Sequence, residues 1–281
     1  MGLNEEASRA CCQSSAVVLM ALFVMGCTLV HEPSGQTEDG GRGRDAMPPC
    51  DPDATLPGEP GGGCPIWDSP VPTTQLSAGA NHICALGTDG RVRCWGDGEN
   101  GQLGDGTLTG SGTWIEVQEL SRVEQISAGG GFTCAVKRDG TVACWGGLGV
   151  DPRPGSGDGV ASSWTPRAVD GLVDIVEVAG GGTLACARDR QGEVYCWGGA
   201  LGELARVEGL SGVTQVDAGY THACALDEVG AVRCWGGNDR GQLGDGSVVD
   251  SSSPVRALLD GPAVALATGD SHTCALMHDG T

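Results

Sequence analysis

Five cysteines set the frame of this chain: Cys84, Cys134, Cys186, Cys224 and Cys274, separated by steps of 50, 52, 38 and 50 residues. Glycine stands five residues before each of them, at Gly79, Gly129, Gly181, Gly219 and Gly269, and again six residues after, at Gly90, Gly140, Gly192, Gly230 and Gly280. Ten residues after the first four comes a second cysteine, Cys94, Cys144, Cys196 and Cys234. Each of these opens the tripeptide Cys-Trp-Gly, with Trp95, Trp145, Trp197 and Trp235. Offsets held constant along one chain mean one structural unit used repeatedly, and such units bury a core by stacking on their neighbours.

The unit reads as a hairpin. In HICALGTDGRVRCWG two short runs flank Thr88-Asp89-Gly90. A three-residue loop wants its last residue in the left-handed region, where glycine carries no Cβ penalty. Pairing across that loop places Cys84 opposite Cys94 and Leu86 opposite Val92, on one face by period-two alternation. Opposed Cα atoms lie about 4.5–5.5 Å apart, within disulfide reach. The same arithmetic joins Cys134 to Cys144, Cys186 to Cys196 and Cys224 to Cys234. Two other states fit the spacing: reduced thiols packed as small hydrophobes, and zinc, for which two thiolates per hairpin are half a tetrahedral set. Of the remaining cysteines, Cys11, Cys12 and Cys27 lie near the start, and Cys50 with Cys64 closes a small Pro- and Gly-rich loop that is a fifth candidate disulfide. For Cys274 the offset of ten falls past the last residue.

A glycine-rich loop follows each Cys-Trp-Gly. The first is GDGENGQLGDGTLTG and the fourth GGNDRGQLGDGS, whereas copies two and three lack the Gly-Gln-Leu-Gly-Asp-Gly core. Strand-like runs such as TWIEVQEL then lead to the next copy, so each repeat holds about four short strands. Four-stranded units of this length suggest propeller blades or another β-repeat array. A helical bundle is excluded by the 50 glycines among 281 residues, since glycine costs about 1 kcal/mol per helical site.

These residues resemble the regulator of chromosome condensation repeat family, whose pattern is glycine, His-x-Cys/Ala-Leu, Asp-Gly, Trp-Gly, then Gly-Gln-Leu-Gly. The matching segments are AGANHICAL…DGRVRCWG…GQLGDG at 78–106 and AGYTHACAL…GAVRCWG…GQLGDG at 218–246. The final TGDSHTCALMHDGT is the first half of another unit, and the Cys-x9-Cys variety is similar to exported bacterial members. The resemblance covers roughly residues 70–281 and implies an all-β propeller, usually of seven blades. Four full repeats and part of a fifth imply an incomplete ring, expected of a fragment or a truncated reading frame. Eukaryotic relatives exchange guanine nucleotides on a small GTPase and bind chromatin, and a bacterial relative inhibits β-lactamase. The resemblance thus implies a protein-binding scaffold.

The chain ahead of the repeats has another style. Ala16 to Met25 is an unbroken apolar run, fifteen residues long when carried to Val30. A spanning helix needs about twenty residues and a signal-peptide core about 7–15, so residues 1–27 read as an export signal. Val24-Met25-Gly26-Cys27 resembles the bacterial lipobox, whose cleavage leaves an acylated N-terminal cysteine at Cys27. Residues 28–65, acidic and rich in Pro and Gly, hold almost no large apolar side chain and read as a tether. Residues 66–281 are the repeat region. Disulfides and signal together point to an exported protein of the bacterial cell envelope, lipid-anchored at the outer membrane or cell surface.

Chemistry beyond scaffold is sparse. With 16 basic and 36 acidic residues the net charge is −20, and Lys137 is the one lysine, which argues against a nucleic-acid partner. Gly96-Asp-Gly98-Glu-Asn-Gly101 matches G-x-G-x-x-G, but the glycines that follow forbid the helix a dinucleotide site needs. His82, His222 and His272 share one offset with Phe132 and Leu184, which marks a packing position. Asp105 and Asp245 sit in loops where a tight turn, rather than calcium, is the expected use. No catalytic residue, metal ion or cofactor is expected. Function is assigned to unrepeated loop residues, with Trp114 and Trp164 as the candidate binding residues for a protein or glycan ligand. The alternatives are an exported hydrolase or lyase with its site in an irregular loop such as 147–163, and an enzyme inhibitor. A carboxylate pair on the central channel would favour the enzyme.

Overall fold

The computed structural model describes residues 72–147 and 162–281, which form an incomplete β-propeller of four-stranded antiparallel sheets. The first blade is β1 (Thr73–Ala78), β2 (His82–Gly87), β3 (Val92–Gly96) and β4 (Ser111–Glu116). The second is β5 (Val123–Ala128), β6 (Phe132–Lys137), β7 (Val142–Gly147) and β8 (Ser162–Ala168). The third is β9 (Ile175–Gly180), β10 (Leu184–Asp189), β11 (Val194–Gly198) and β12 (Gly202–Arg206), with a 3-10 turn at Gly199–Leu201 before its last strand. The fourth is β13 (Val213–Ala218), β14 (His222–Asp227), β15 (Val232–Gly236) and β16 (Ser251–Arg256). Strands β17 (Ala263–Thr268) and β18 (Thr273–Met277) form a two-stranded fifth sheet.

The central hairpin of each blade has the register that its spacing predicts. Cys84 pairs with Cys94 and Leu86 with Val92, and the corresponding cysteines pair in the next three blades. All four pairs are disulfide-bonded, with Cα atoms 4.0–4.1 Å apart. The hairpin loop closes through Gly90 N–H donating to Gly87 O at 2.9 Å. Gly90, Gly140, Gly192, Gly230 and Gly280 all have φ between 71° and 89°, which accounts for the fixed glycine at the turn.

The first strands, β1, β5, β9, β13 and β17, lie side by side along the inner face, and the fourth strands lie outside. The first and fifth sheets do not meet, so the ring is open. Packing is between blades rather than within them. One core cluster joins Cys84, Val92 and Leu103 of the first blade to Ile126, Ala135 and Trp145 of the second. Comparable clusters follow at the later interfaces. Trp145, Trp197 and Trp235 are each buried at one of these interfaces.

The other fixed glycine, five residues before the anchor cysteine, makes the close approach of blades possible. Gly79, Gly129, Gly181, Gly219 and Gly269 follow the inner strands. A Cβ on Gly79, Gly129, Gly181 or Gly219 would collide with a carbonyl oxygen of the next blade. That proximity admits a belt of backbone hydrogen bonds from blade to blade. Ala80 N donates to Gly129 O (3.2 Å), Gly130 N to Gly181 O (2.8 Å), Gly182 N to Gly219 O (3.0 Å) and Tyr220 N to Asp270 O (3.1 Å).

Candidate binding surface

The repeated polar side chains are consumed by the blade interfaces. Gln75 bridges to Ile126 of the next blade, its Nε2 donating to the carbonyl and its Oε1 accepting from the N–H, both at 2.9 Å. Gln125 does the same to Val178, and Gln215 to Leu266. His82 Nε2 lies 2.8 Å from Thr133 Oγ1, which itself donates to Gln102 O at 3.0 Å. The threonine hydrogen is thereby used, so His82 donates from Nε2 as the neutral tautomer. His222, Thr273 and Gln242 repeat the arrangement, at 2.9 Å and 2.8 Å. Where the histidine position is Phe132 or Leu184, the residue facing it one copy on is Ala185 or Ala223, and the Gln-Leu-Gly loop is missing as well. The network is kept whole or replaced whole by apolar groups, which avoids a half-satisfied buried polar group. At His82, Phe132, Leu184 and His222 the shared offset is a buried position, as its exchange with Phe implies, and in two copies it is also a hydrogen bond between blades; His272, read at the same offset as a packing residue, is exposed.

Burial lowers both histidines from 6.5 to about 4, and neither Nδ1 has a partner to receive an added proton. Between those values the unfolded chain binds more protons than the folded one, so stability falls as pH drops from 6.5 toward 4. In urea titrations across that range, the His82→Phe/Thr133→Ala double variant, which copies the pairing of the second and third blades, is expected to show a shallower loss than the wild type.

One interface departs from this scheme. At the glutamine position the third blade carries Glu177, and at the position of Ser77 and Ser127 the fourth carries Asp217. Both stand on neighbouring inner strands, and burial raises the pKa of each carboxyl above its ordinary range. This is a carboxylate pair of the kind that would favour an enzyme, but Glu177 Oε2 and both Asp217 oxygens are engaged by hydrogen bonds within the fold. Glu177 Oε2 accepts from Arg188 Nε at 2.8 Å and from Val216 N at 3.3 Å. Asp217 accepts from Thr268 N at 2.8 Å and Ala218 N at 2.9 Å. They do the work of Gln and Ser at the equivalent interfaces. Arg188 in turn occupies the place of Leu86, Val136 and Leu226. Arg188→Leu leaves the partly buried Glu177 carboxyl without its ion-pair partner, and is expected to cost about 1–2 kcal/mol. Adding Glu177→Gln should recover at least the wild-type midpoint in chemical denaturation, because the double variant has the pairing of the other blades.

What remains for recognition is unrepeated and exposed. A concavity of about 300 Å³ opens at the glycine belt, edged by Gly79, Gly129, Gly181, Gly219, Tyr220 and Asp270. Its wall is largely backbone, and Tyr220 is half exposed there. Trp114 on β4 and Trp164 on β8 are 42% and 47% exposed, and both are held. The Arg93 guanidinium lies 5.5 Å from the Trp114 ring centre, a stacking contact that orients the indole. Trp164 lies over Gly101 of the preceding blade, and its carbonyl accepts from Gly106 N at 2.9 Å. The two indoles thus stand on different supports. The first loop exposes Leu108 at its tip, and the fourth exposes Val248 and Val249. Sequence reasoning passed over these loop residues and Tyr220, although the tips are unrepeated apolar residues in otherwise repeated loops.

The two loop aspartates make turns: Asp105 Oδ1 accepts from Thr107 N at 3.0 Å and Asp245 Oδ1 from Ser247 N at 2.9 Å. Among the described residues no group of three or more His, Cys, Asp or Glu is placed to share a metal ion. Cys27, Cys50, Cys64 and most of the 147–163 loop lie outside the described residues.

Two family models described as the regulator of chromosome condensation (RCC1) repeat match, one at residues 74–102 and 213–242, the other at 89–136 and 230–276. Both fall on the copies that keep the histidine, the Gln-Leu-Gly loop and the following threonine. Among solved structures, human WBSCR16 is similar at 26% identity over 75% of this chain and 59% of its own, with a TM-score of 0.69. Yeast RCC1 (Prp20), solved bound to Kap60, matches at 20% identity over 73% of this chain and 54% of its own, with a TM-score of 0.64. Prp20p from Saccharomyces cerevisiae, described with its binding to Gsp1p and histones, matches at 21% identity, 73% and 55% coverage and a TM-score of 0.60. The chain spans between 54% and 59% of the length of these three.

Proposed function

For a chain built of RCC1-type repeats, we propose a binding role: the blade array is a rigid, non-catalytic scaffold that recognises another protein through its unrepeated loops and outer strands. The observation that carries this reading is the division of labour among the side chains. The repeated polar residues are spent on blade-to-blade bonds, while Trp114 and Trp164 stand exposed on supports that restrict their motion. Rigid exposed aromatics bind with little loss of conformational entropy and are enriched where interface energy concentrates. Yeast RCC1 (Prp20), which shares the fold, was solved with Kap60 bound to it. The net charge of −20 favours a partner with a basic face.

We place the protein outside the cytosol, held at the cell envelope by a lipid on Cys27. The apolar run from Ala16 to Met25 and the four hairpin disulfides support this. Labelled fatty acid should enter the wild-type chain and be lost from Cys27→Ala; no incorporation, or label surviving that substitution, removes the anchor. For recognition, quantitative capture of envelope proteins by the wild type is compared with Trp114→Ala and Trp164→Ala. Each substitution should weaken recovery of a specific partner by at least about tenfold, the loss of one interface aromatic. Recovery of no partner, or equal recovery by all three proteins, contradicts the reading. A glycan ligand would show instead as retention on a glycan array that the same substitutions abolish.

A further inference from the structure

The residue after each belt glycine holds one repeated position, filled by Ala80, Gly130, Gly182, Tyr220 and Asp270. Three of these carry at most a methyl group, so the tyrosine and the aspartate are the two that bring a functional side chain to the concavity from this position. Tyr220 belongs to the fourth blade and is held by both of its neighbours. Its N–H donates to Asp270 O at 3.1 Å, and its carbonyl accepts from Thr183 N and Thr183 Oγ1, both at 3.3 Å. The ring lies on Gly182 of the third blade, where an added Cβ would strike Cγ, Cδ2 and Cε2. The glycine thus supports the ring and still leaves half of the residue exposed.

The polar groups around this ring are acceptors or carboxyls. Among the described residues that line the concavity there is no lysine, arginine or histidine. Asp270 brings its carboxylate to the rim beside Tyr220. Thr268 stands where the other inner strands place Ala78, Ala128, Gly180 and Ala218. Its Oγ1 is buried in the wall with no hydrogen-bond partner among the described residues, and the Asp217 carboxyl is its polar neighbour. A volume of about 300 Å³ is at the small end for a binding pocket and suits one long side chain.

Charge is distributed in the same sense. The described connections on the belt side carry Asp97, Glu99, Asp239, Asp250 and Asp270, against one arginine, Arg240, which lies 3.6 Å from Asp239. Elsewhere Arg91, Arg93, Arg138, Arg206 and Arg233 are held in ion pairs by carboxylates of their own blades. The belt side therefore keeps its negative charge, and a concave surface of one sign concentrates the field at its mouth.

We propose that the concavity receives the side chain of an arginine on a partner protein, its guanidinium stacked on the Tyr220 ring and its N–H groups turned toward Asp270 and Thr268. Arginine suits this site better than lysine, because a planar guanidinium lies flat on an aromatic face while donating from its edge. The inference rests on the binding reading and deepens it by naming the group that the partner presents. Trp114 and Trp164, on outer strands, are not part of this site.

The test is calorimetric titration of the full chain with a capped Gly-Arg-Gly peptide, set against the same peptide with the neutral isostere citrulline and against a methyl pyranoside. Saturable binding of the arginine peptide is expected, at least about tenfold tighter than that of the citrulline peptide and weakened by added salt. Tyr220→Ala should cause a similar loss. It places in the fourth blade the residue that the first has at Ala80, so its thermal transition should stay near that of the wild type. Tyr220→Phe should retain binding, and Asp270→Asn should weaken it. No binding of the arginine peptide, equal binding of the two peptides, or full binding by a folded Tyr220→Ala protein overturns the proposal. Preference for the pyranoside overturns it too, and assigns the ring to a sugar. Trp114→Ala and Trp164→Ala should leave peptide binding unchanged. Capture of a partner that depends on those tryptophans, without binding of the peptide, would therefore strike this site alone.

Discussion

Reduction of the four hairpin disulfides is expected to lower the thermal transition by on the order of 20 °C. Each bridge closes a loop across ten residues of sequence. In the chain-entropy account a loop of that size is worth about 2–3 kcal/mol, and for a domain of this size 1 kcal/mol shifts the midpoint by about 2–4 °C. The contribution is large because little else holds a glycine-rich hairpin in one conformation. The inner faces of these blades are made of alanines, valines and leucines of modest size, and each core is shared with the neighbouring blade. The bridged sulfurs also sit at the blade interfaces: both cysteines of the first two pairs are buried in those clusters. The measurement is a thermal scan before and after reduction, with thiol counting to show that all four bridges have opened. Opening only the second bridge, by Cys134→Ala with Cys144→Ala, should shift the midpoint by about 5–10 °C. An unchanged transition in a protein with eight newly exposed thiols would show that blade packing alone carries the fold.

Gly181→Ala is expected to destabilise by about 3 kcal/mol. The new Cβ falls inside contact distance of the Gly219 carbonyl oxygen, with Ala218 O and Gly219 C close behind. All three are backbone atoms, so no side chain can rotate away, and overpacking of this kind typically costs 1–3 kcal/mol or more. Relief requires the third and fourth blades to separate, which lengthens the Gly182 N to Gly219 O hydrogen bond, now 3.0 Å. The substitution carries no penalty of its own, since Gly181 is not among the positive-φ residues. Gly112→Ala is the control. It lies in β4 with nothing near its would-be Cβ, and should be neutral or slightly stabilising. Comparing the two midpoints in denaturant separates close approach of blades from the general effect of glycine on chain entropy. Equal midpoints would mean that the belt of backbone contacts can yield without cost.

The hairpins were legible in the sequence because their constraints are local. A three-residue loop ending in a left-handed glycine fixes which residues oppose one another, so Cys84 with Cys94 and Leu86 with Val92 follow from counting. Four strands per copy follow from the runs between hairpins. The candidate binding residues were legible only as unrepeated tryptophans. That Trp114 stacks with Arg93, and that Trp164 lies over the preceding blade, depends on how sheets stack, which counting does not reveal.

The partners across each interface lie about one repeat apart in sequence. His82 meets Thr133, and Gln75 meets Ile126, each 51 residues away. The sequence contained their correlation, histidine followed by threonine one copy on and Phe or Leu followed by alanine, but a correlation becomes a contact only when blades are stacked in a known order. By itself, then, the chain determined the repeat, its hairpin register and the position of its turns, because each is set by backbone dihedrals over a dozen residues. The tertiary structure alone decided which polar groups would be buried together and why glycine must precede each hairpin. Those outcomes depend on the distance between neighbouring sheets, and no single repeat encodes that distance.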